Sequence, residues 1–160
     1  MEAELPFLVR PADPDRPEAV ALLGAYLDEL RSRIFPIPVD ADPHWPEDYR
    51  RPGGAVLLAW SAGRAVGCAG LRPLEPGTVE LKRLYLVPEV RGRGLGKRFM
   101  AAIEDEARSA GHRRLLLDTA APLREAAAMY RSMGYVPIPA YNANPRASAW
   151  FSRDLVRAPR

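Results

Sequence analysis

Apolar and polar positions along this chain alternate between a period of two and a period near 3.6, and the switches mark out its elements. Phe7-Leu8-Val9 is a short β-prone run halted by Pro11. Asp15 can cap a helix with Pro17 in its first turn, and Val20, Leu23, Leu27 and Leu30 then recur at helical spacing. From Phe35 to Tyr49 the chain holds Pro36, Pro38, Pro43 and Pro46 together with Phe35, Trp45 and Tyr49. Disordered linkers are poor in aromatics, so this stretch reads as an ordered loop with a short helical turn, lying over a cleft. Ala55 to Trp60 is an apolar run, Ala62-Gly63-Arg64 a hairpin turn, and Ala65 to Leu71 the returning strand. A third strand, Val79 to Val87, is stopped by Pro88.

Leu95, Phe99, Ile103 and Ala107 make an i, i+4 stripe, and Gly111 sits where a helix C-terminal cap belongs. Leu115-Leu116-Leu117 is continuous and bounded, as expected in the middle of a sheet covered on both faces. Pro122 opens a helix carrying Leu123, Ala126, Tyr130 and Met133, which Gly134 ends. Tyr135-Val136 and Ala147 to Leu155 supply the last strands. The order β-α-loop-β-β-β-α-β-α-β-β, without an internal repeat or a visible boundary, predicts a single domain with a mixed α/β sheet.

Composition narrows the classes. The 160 residues are 48% apolar and 27% charged, an ordinary soluble balance that excludes disorder as the main state. No apolar run approaches the ~18–20 residues that span a bilayer, and Met1-Glu2-Ala3-Glu4 does not resemble a basic signal start. Cys68 is the single cysteine and there are two histidines, so neither an internal disulfide nor a zinc cluster is expected. These features predict a cytoplasmic, metal-free protein with no membrane partner. A net charge of +3 is too small for a nucleic-acid coat. Its distribution says more: Lys82 and Lys97 are the two lysines, and Arg91, Arg93, Lys97 and Arg98 crowd a segment interleaved with glycines.

That segment, Val87-Pro88-Glu89-Val90-Arg91-Gly92-Arg93-Gly94-Leu95-Gly96-Lys97, joins a strand to a helix. Alternating glycines let backbone approach a ligand and present successive N–H groups. The helix that follows adds its unpaired first-turn N–H groups and the positive end of its dipole. Arg91, Arg93 and Lys97 add charge, and the whole describes a phosphate receptor. It is not a Walker A loop, because Arg91 stands at the first glycine position and Arg98 follows Lys97. Nor is it the dinucleotide fingerprint: Gly92 and Gly94 fit, but the third glycine falls one residue early at Gly96.

Arg91-Gly92-x-Gly94-x-Gly96, following Val87-Pro88, resembles the acetyl-CoA signature of the GNAT N-acetyltransferase superfamily, whose core is [RQ]-x-x-G-x-[GA]. Tyr130-Arg131-Ser132-Met133-Gly134-Tyr135 is similar to the second signature, Y-x-x-x-G-[FY], and the element order matches from Phe7 to Leu155. The resemblance implies a mixed, mostly antiparallel sheet of about seven strands, helices on both faces, and a V-shaped split between two parallel strands. It implies an N-acetyltransferase spanning residues 1–160, with acetyl-CoA as cosubstrate and a small-molecule amine or a protein amine as acceptor. Homodimers are common among such proteins.

Residue by residue, backbone N–H groups of Arg91, Gly92, Arg93, Gly94, Leu95, Gly96 and Lys97 would hold the pyrophosphate. Leu86 and Val87 would pair with the pantetheine arm like an added strand, between the strand ending at Val87 and the one at Leu115 to Thr119. An N–H near Leu86 would polarise the thioester carbonyl. Tyr130 would protonate the departing thiolate; with a thiol pKa near 8.5 and a tyrosine pKa of about 10, transfer suits a thiolate still forming.

Glu80 lies in Val79-Glu80-Leu81-Lys82-Arg83, a charged run in what should be a central strand, so part of that strand faces a cleft or is ion-paired. The family places a glutamate at this point in some members to deprotonate the attacking ammonium. Presenting the lone pair of an amine of pKa ~10.4 at pH 7 takes roughly 4–5 kcal/mol, which a carboxylate can help supply directly or through water. A substrate-binding or structural role for Glu80, with water as base, is the alternative. Tyr141, Asn142, Asn144 and Pro145 are expected to border the acceptor site, Asp118-Thr119 to hydrogen-bond near the cofactor, and Cys68 to be a small core residue. Two other classes stay open: a catalytically silent acyl-CoA-binding module of the same fold, and an Arg-rich nucleic-acid binder with steep salt dependence.

Overall fold

In the computed structural model, which describes residues 6–34, 36, 39, 42–121 and 123–156, the chain runs β1 (Leu8–Ala12), α1 (Pro17–Ile34), a 3₁₀ turn at Glu47–Tyr49, β2 (Ala55–Ser61), β3 (Arg64–Pro73), β4 (Thr78–Leu86), a second 3₁₀ turn at Pro88–Val90, α2 (Leu95–Ser109), β5 (Arg114–Thr119), α3 (Arg124–Ser132), β6 (Val136–Ile138) and β7 (Ala149–Asp154). The strands form one sheet in the order β1-β2-β3-β4-β5-β7-β6. Every neighbouring pair is antiparallel except β4 and β5, which run parallel. The mixed, mostly antiparallel sheet of seven strands is therefore as expected. Among the described residues no helix is long and apolar enough to cross a membrane.

Local chemistry explains much of this. Ala62 and Gly63 both take positive φ, +50° and +78°, the geometry of a two-residue hairpin turn joining β2 to β3. The α2 stripe Leu95, Phe99, Ile103 and Ala107 is buried with Met100 against the sheet, and Gly111 beyond its end has φ +90°. Leu115, Leu116 and Leu117 are all buried in β5, which has strands on both sides.

Two details differ from the sequence reading. β1 does not stop at Pro11 but pairs with β2 through it, which a strand on the sheet edge tolerates because one side of its backbone needs no partner. In α1 the buried positions are Ala19, Leu22, Leu30 and Ile34, while Val20 is 55% exposed. That helix is apolar around most of its circumference, so periodicity alone does not choose the face. The segment expected to lie over a cleft does carry a 3₁₀ turn, with Asp42, Pro43, His44 and Tyr49 on a cleft wall. Phe35, Ile37, Pro38 and Pro122 fall outside the described residues.

Tyr49 is fully buried, its hydroxyl donates to Asp42 at 2.7 Å, and its ring centroid lies 5.2 Å from that of Trp45. The ring sits directly on Gly70 of β3, where a Cβ would come within 2.7 Å of a ring carbon. Gly70→Ala should therefore cost about 1–3 kcal/mol, as overpacking of a filled core does, and lower Tm by several degrees in a thermal melt. An unchanged Tm would show that the ring is free to move.

Candidate active site

The parallel pairing of β4 and β5 extends over Thr78↔Arg114, Val79↔Leu115 and Glu80↔Leu116, and then ends. Beyond it β4 continues to Leu86 and β5 to Thr119, so the two strands diverge around a gap. At the same place β4 carries an extra residue: Cys68 pairs with Tyr85 but Gly70 with Lys82, leaving Arg83 and Leu84 opposite Ala69. Arg83 sits at φ +61°, a conformation uncommon outside glycine, and bulges of this kind re-aim strands beside functional sites. Its guanidinium bonds Asp42 at 3.1 Å and lies over the Trp45 and Tyr49 rings at 5.4 and 6.0 Å, which holds the bulge in place. Past the bulge, the Val87 N–H donates to Val66 at 2.8 Å. Strand alternation then turns the Leu86 N–H away from β3, toward the gap.

Two cavities meet at that gap and share Tyr26, Leu30, Leu84, Leu123 and Ala126 as walls. The smaller, about 370 Å³, is bordered by Leu86, Arg91, Gly92, Gly94, Gly96, Lys97 and Met129. Gly92 and Gly94 take φ of +79° and +76°, and a Cβ on either would project into open space. Gly96 is tight for another reason: a Cβ would meet Met129 Sδ at 2.9 Å, so this glycine sets the approach of α3 to α2. Gly94 caps α2 with no side-chain bond, and the N–H groups of Gly92, Arg93 and Gly94 meet no acceptor among the described residues. Together they form a cradle of backbone donors at a positive helix end.

The basic residues of this loop divide. Arg93 and Lys97 have no partner among the described residues. Arg91 does: its Nε donates to the Leu86 carbonyl at 2.8 Å, its Nη2 bonds Glu29 at 2.9 and 3.0 Å, and its guanidinium lies 5.4 Å from the Tyr85 ring. Its side chain ties α1 to the end of β4 rather than reaching into the cradle. Arg33 and Glu125 form a second ion pair between α1 and α3 on the wall of the same cavity.

The larger cavity, about 960 Å³, contains the other predicted residues. Glu80 is 1% exposed, and both its oxygens are engaged. Arg72 Nη1 bonds Oε1 at 3.0 Å; Oε2 accepts from the Tyr141 hydroxyl at 2.6 Å and from Asn142 at 3.4 Å, with Lys82 Nζ at 3.7 Å. Asp118, at the end of β5, accepts from Lys82 at 3.4 Å, Asn142 at 2.7 Å and Asn144 at 3.3 Å. Burial, followed by the Glu80 charge, pushes the Tyr141 phenol far above its ordinary range, so it stays a donor. Arg72 is itself placed by Asp48 and by His44, which bonds its Nη2 at 3.0 Å. Arg72 was not visible in the sequence as a site residue, since nothing in its spacing ties it to Glu80.

Tyr130 projects from α3 with 6% of its surface exposed, packed against Tyr135 and Phe151 at centroid distances of 5.7 and 6.2 Å. It lines the larger cavity, and its hydroxyl has no partner among the described residues. Burial pushes its pKa well up, which keeps the phenol protonated. Cys68 is buried, its thiol pushed up to about 12 by desolvation and donating to the Arg83 carbonyl at 3.6 Å, so it is no nucleophile. Among the described residues no cluster of His, Cys, Asp and Glu could hold a metal ion.

A mostly antiparallel sheet that splits at a parallel pair, with an amide-lined helix start beside the split, defines a mixed α/β fold with an anion-binding cradle at the split. The family model described as the Acetyltransferase (GNAT) family matches residues 24–135, and the chain belongs to that family. The uncharacterized N-acetyltransferase YjgM of Escherichia coli K12 is 37% identical over 101 residues, 59% of this chain and 60% of that protein, so the match spans under two thirds of that relative. The uncharacterized N-acetyltransferase C1271.07c of Schizosaccharomyces pombe is 35% identical over 135 residues, 82% of this chain and 83% of that one. Among solved structures, a GNAT family acetyltransferase from Elizabethkingia anophelis with acetyl-CoA bound shares the fold at a TM-score of 0.66, covering 92% of this chain and 97% of that one at 15% identity.

Proposed function

We propose that this protein is a cytoplasmic N-acetyltransferase, one domain over residues 1–160, moving an acetyl group from acetyl-CoA to the primary amine of a small molecule by direct attack. The observation that carries this reading is the amide cradle at the start of α2, bordering a cavity that also reaches the end of β4 where it parts from β5. The backbone N–H groups from Gly92 to Lys97 bind the pyrophosphate, that of Arg91 being already given to the Pro88 carbonyl at 3.2 Å, and the cations Arg93 and Lys97 add to its neutralisation. Leu86 and Val87 line the pantetheine arm, and the gap-facing Leu86 N–H polarises the thioester carbonyl. Glu80 draws the proton from the attacking ammonium; its near-complete burial makes bridging water the route. The amine lone pair then attacks the carbonyl carbon; as the intermediate collapses the C–S bond breaks, Tyr130 gives its proton to the departing sulfur, and the proton lost from the new amide nitrogen passes through water to restore Tyr130. Rate enhancement comes chiefly from positioning and carbonyl polarisation.

Calorimetric titration with acetyl-CoA, followed by a thiol-release screen over primary amines, tests this. Micromolar binding together with thiol release for at least one amine class is expected. Binding without release for any amine would leave a silent carrier-binding module, and no binding would remove the reading altogether.

A further inference from the structure

The charged side chains on the wall of the larger cavity pair off with one conspicuous remainder. Arg83 bonds Asp42, Arg72 bonds Glu80, and Lys82 lies between Glu80 and Asp118. Arg146, half-buried in the loop between β6 and β7, is the one cation of this wall without a partner among the described residues. It borders the larger cavity and not the smaller one beside the α2 cradle, so it stands on the acceptor side. The unpaired carboxylate of the same wall, Glu75, is exposed at the rim, where water screens it.

The loop that carries Arg146 is held from within. Asn144 Oδ1 accepts from the Arg146 backbone N–H at 3.1 Å, and Asn142 Oδ1 accepts from the Asn144 N–H at 3.2 Å and from Trp150 Nε1 at 2.9 Å. The Nδ2 groups of both asparagines reach Asp118. Tyr26 of α1 lines the same cavity; its hydroxyl also has no partner among the described residues and is close enough for the Arg146 charge to act on it. Burial pushes that phenol up to about 12, so it remains a donor. A guanidinium and a hydroxyl lining one cavity, both without partners among the described residues, make an anion receptor in a cavity that the Glu80 and Asp118 carboxylates also line.

We infer that the acceptor amine also carries a carboxylate, as in an amino acid, and that Arg146 binds it while the ammonium lies toward Glu80 and Asp118. The inference rests on the acetyltransferase reading and names the acceptor class of that same site. A bidentate guanidinium–carboxylate contact fixes orientation as well as affinity, and so selects among amines that reach the thioester equally well.

The test compares free amino acids with their primary amides and with the corresponding decarboxylated amines, by thiol release, in the parent, Arg146→Gln and Arg146→Lys. The parent is expected to prefer the acids in kcat/KM. Arg146→Gln should collapse that acid-over-amide ratio about 10- to 100-fold, the range for losing a charged hydrogen bond, through KM rather than kcat, and Arg146→Lys should restore part of it. Calorimetry with acetyl-CoA accompanies each variant, and an unshifted affinity is expected, since Arg146 lies outside the coenzyme cavity. A parent that prefers the amides or amines, or a ratio that Arg146→Gln leaves unmoved, overturns the inference while the acetyltransferase reading stands. Absence of both acetyl-CoA binding and thiol release overturns the two together.

Discussion

Gly94→Asp should weaken acetyl-CoA binding at least about 100-fold while leaving a folded protein. The glycine caps α2 at φ +76°, and a Cβ there meets nothing within 4 Å. Its added side chain therefore disturbs no neighbour; it occupies the cradle itself. A carboxylate in that space opposes the pyrophosphate charge where the helix dipole and the loop amides would otherwise attract it, and like charges so placed cost several kcal/mol. The backbone strain is smaller, about 1–2 kcal/mol for an L-residue in the left-handed region, which a domain of this size survives. Circular dichroism on the variant should match the parent, and calorimetry should detect no binding at concentrations that saturate the parent. Unchanged affinity would mean that the phosphates sit elsewhere.

Tyr130→Phe should lower kcat about 100-fold or more with acetyl-CoA affinity within about twofold, the usual scale of a lost general acid. Phenylalanine keeps the ring contacts with Tyr135 and Phe151, so packing is retained and only the unpartnered hydroxyl is removed. Burial raises the Tyr130 pKa, and the sign matters. A raised phenol pKa keeps the proton available through the whole neutral and mildly alkaline range. The parent should show no alkaline fall in kcat from this group below about pH 10, its unperturbed value. Full activity in the variant, measured by thiol release at saturating substrates, would take the acid role from Tyr130.

How much of this was written in the sequence depends on the distance over which each signal acts. The turn at Ala62-Gly63, the α2 stripe, the cap at Gly111 and the cradle glycines are local, because a positive φ or a repeat of four residues needs no distant partner. The seven-stranded mixed sheet followed from element order and the family signatures. The buried face of α1 did not, since leucines and alanines offered two stripes and only packing chose between them. Arg91 was legible as a charge but not as a tie, because its carboxylate, Glu29, comes from the first helix. The same is true of Glu80: the sequence announced a charged residue in a central strand, while Arg72, Tyr141 and Asn142 arrive from other elements to satisfy it.

The short parallel ladder has a mechanical meaning. β1 to β4 are bound to one another by longer antiparallel ladders, and so are β5 and β7, yet three residue pairs at Thr78–Glu80 and Arg114–Leu116 are all that stitch β4 to β5 across the middle of the sheet. Those rungs lie at one end, like the pivot of a pair of shears, so a small rotation about them opens or narrows the far end. The ion pair Arg33–Glu125 joins α1, packed on β3 and β4, to α3, which follows β5, and so limits how far the blades swing.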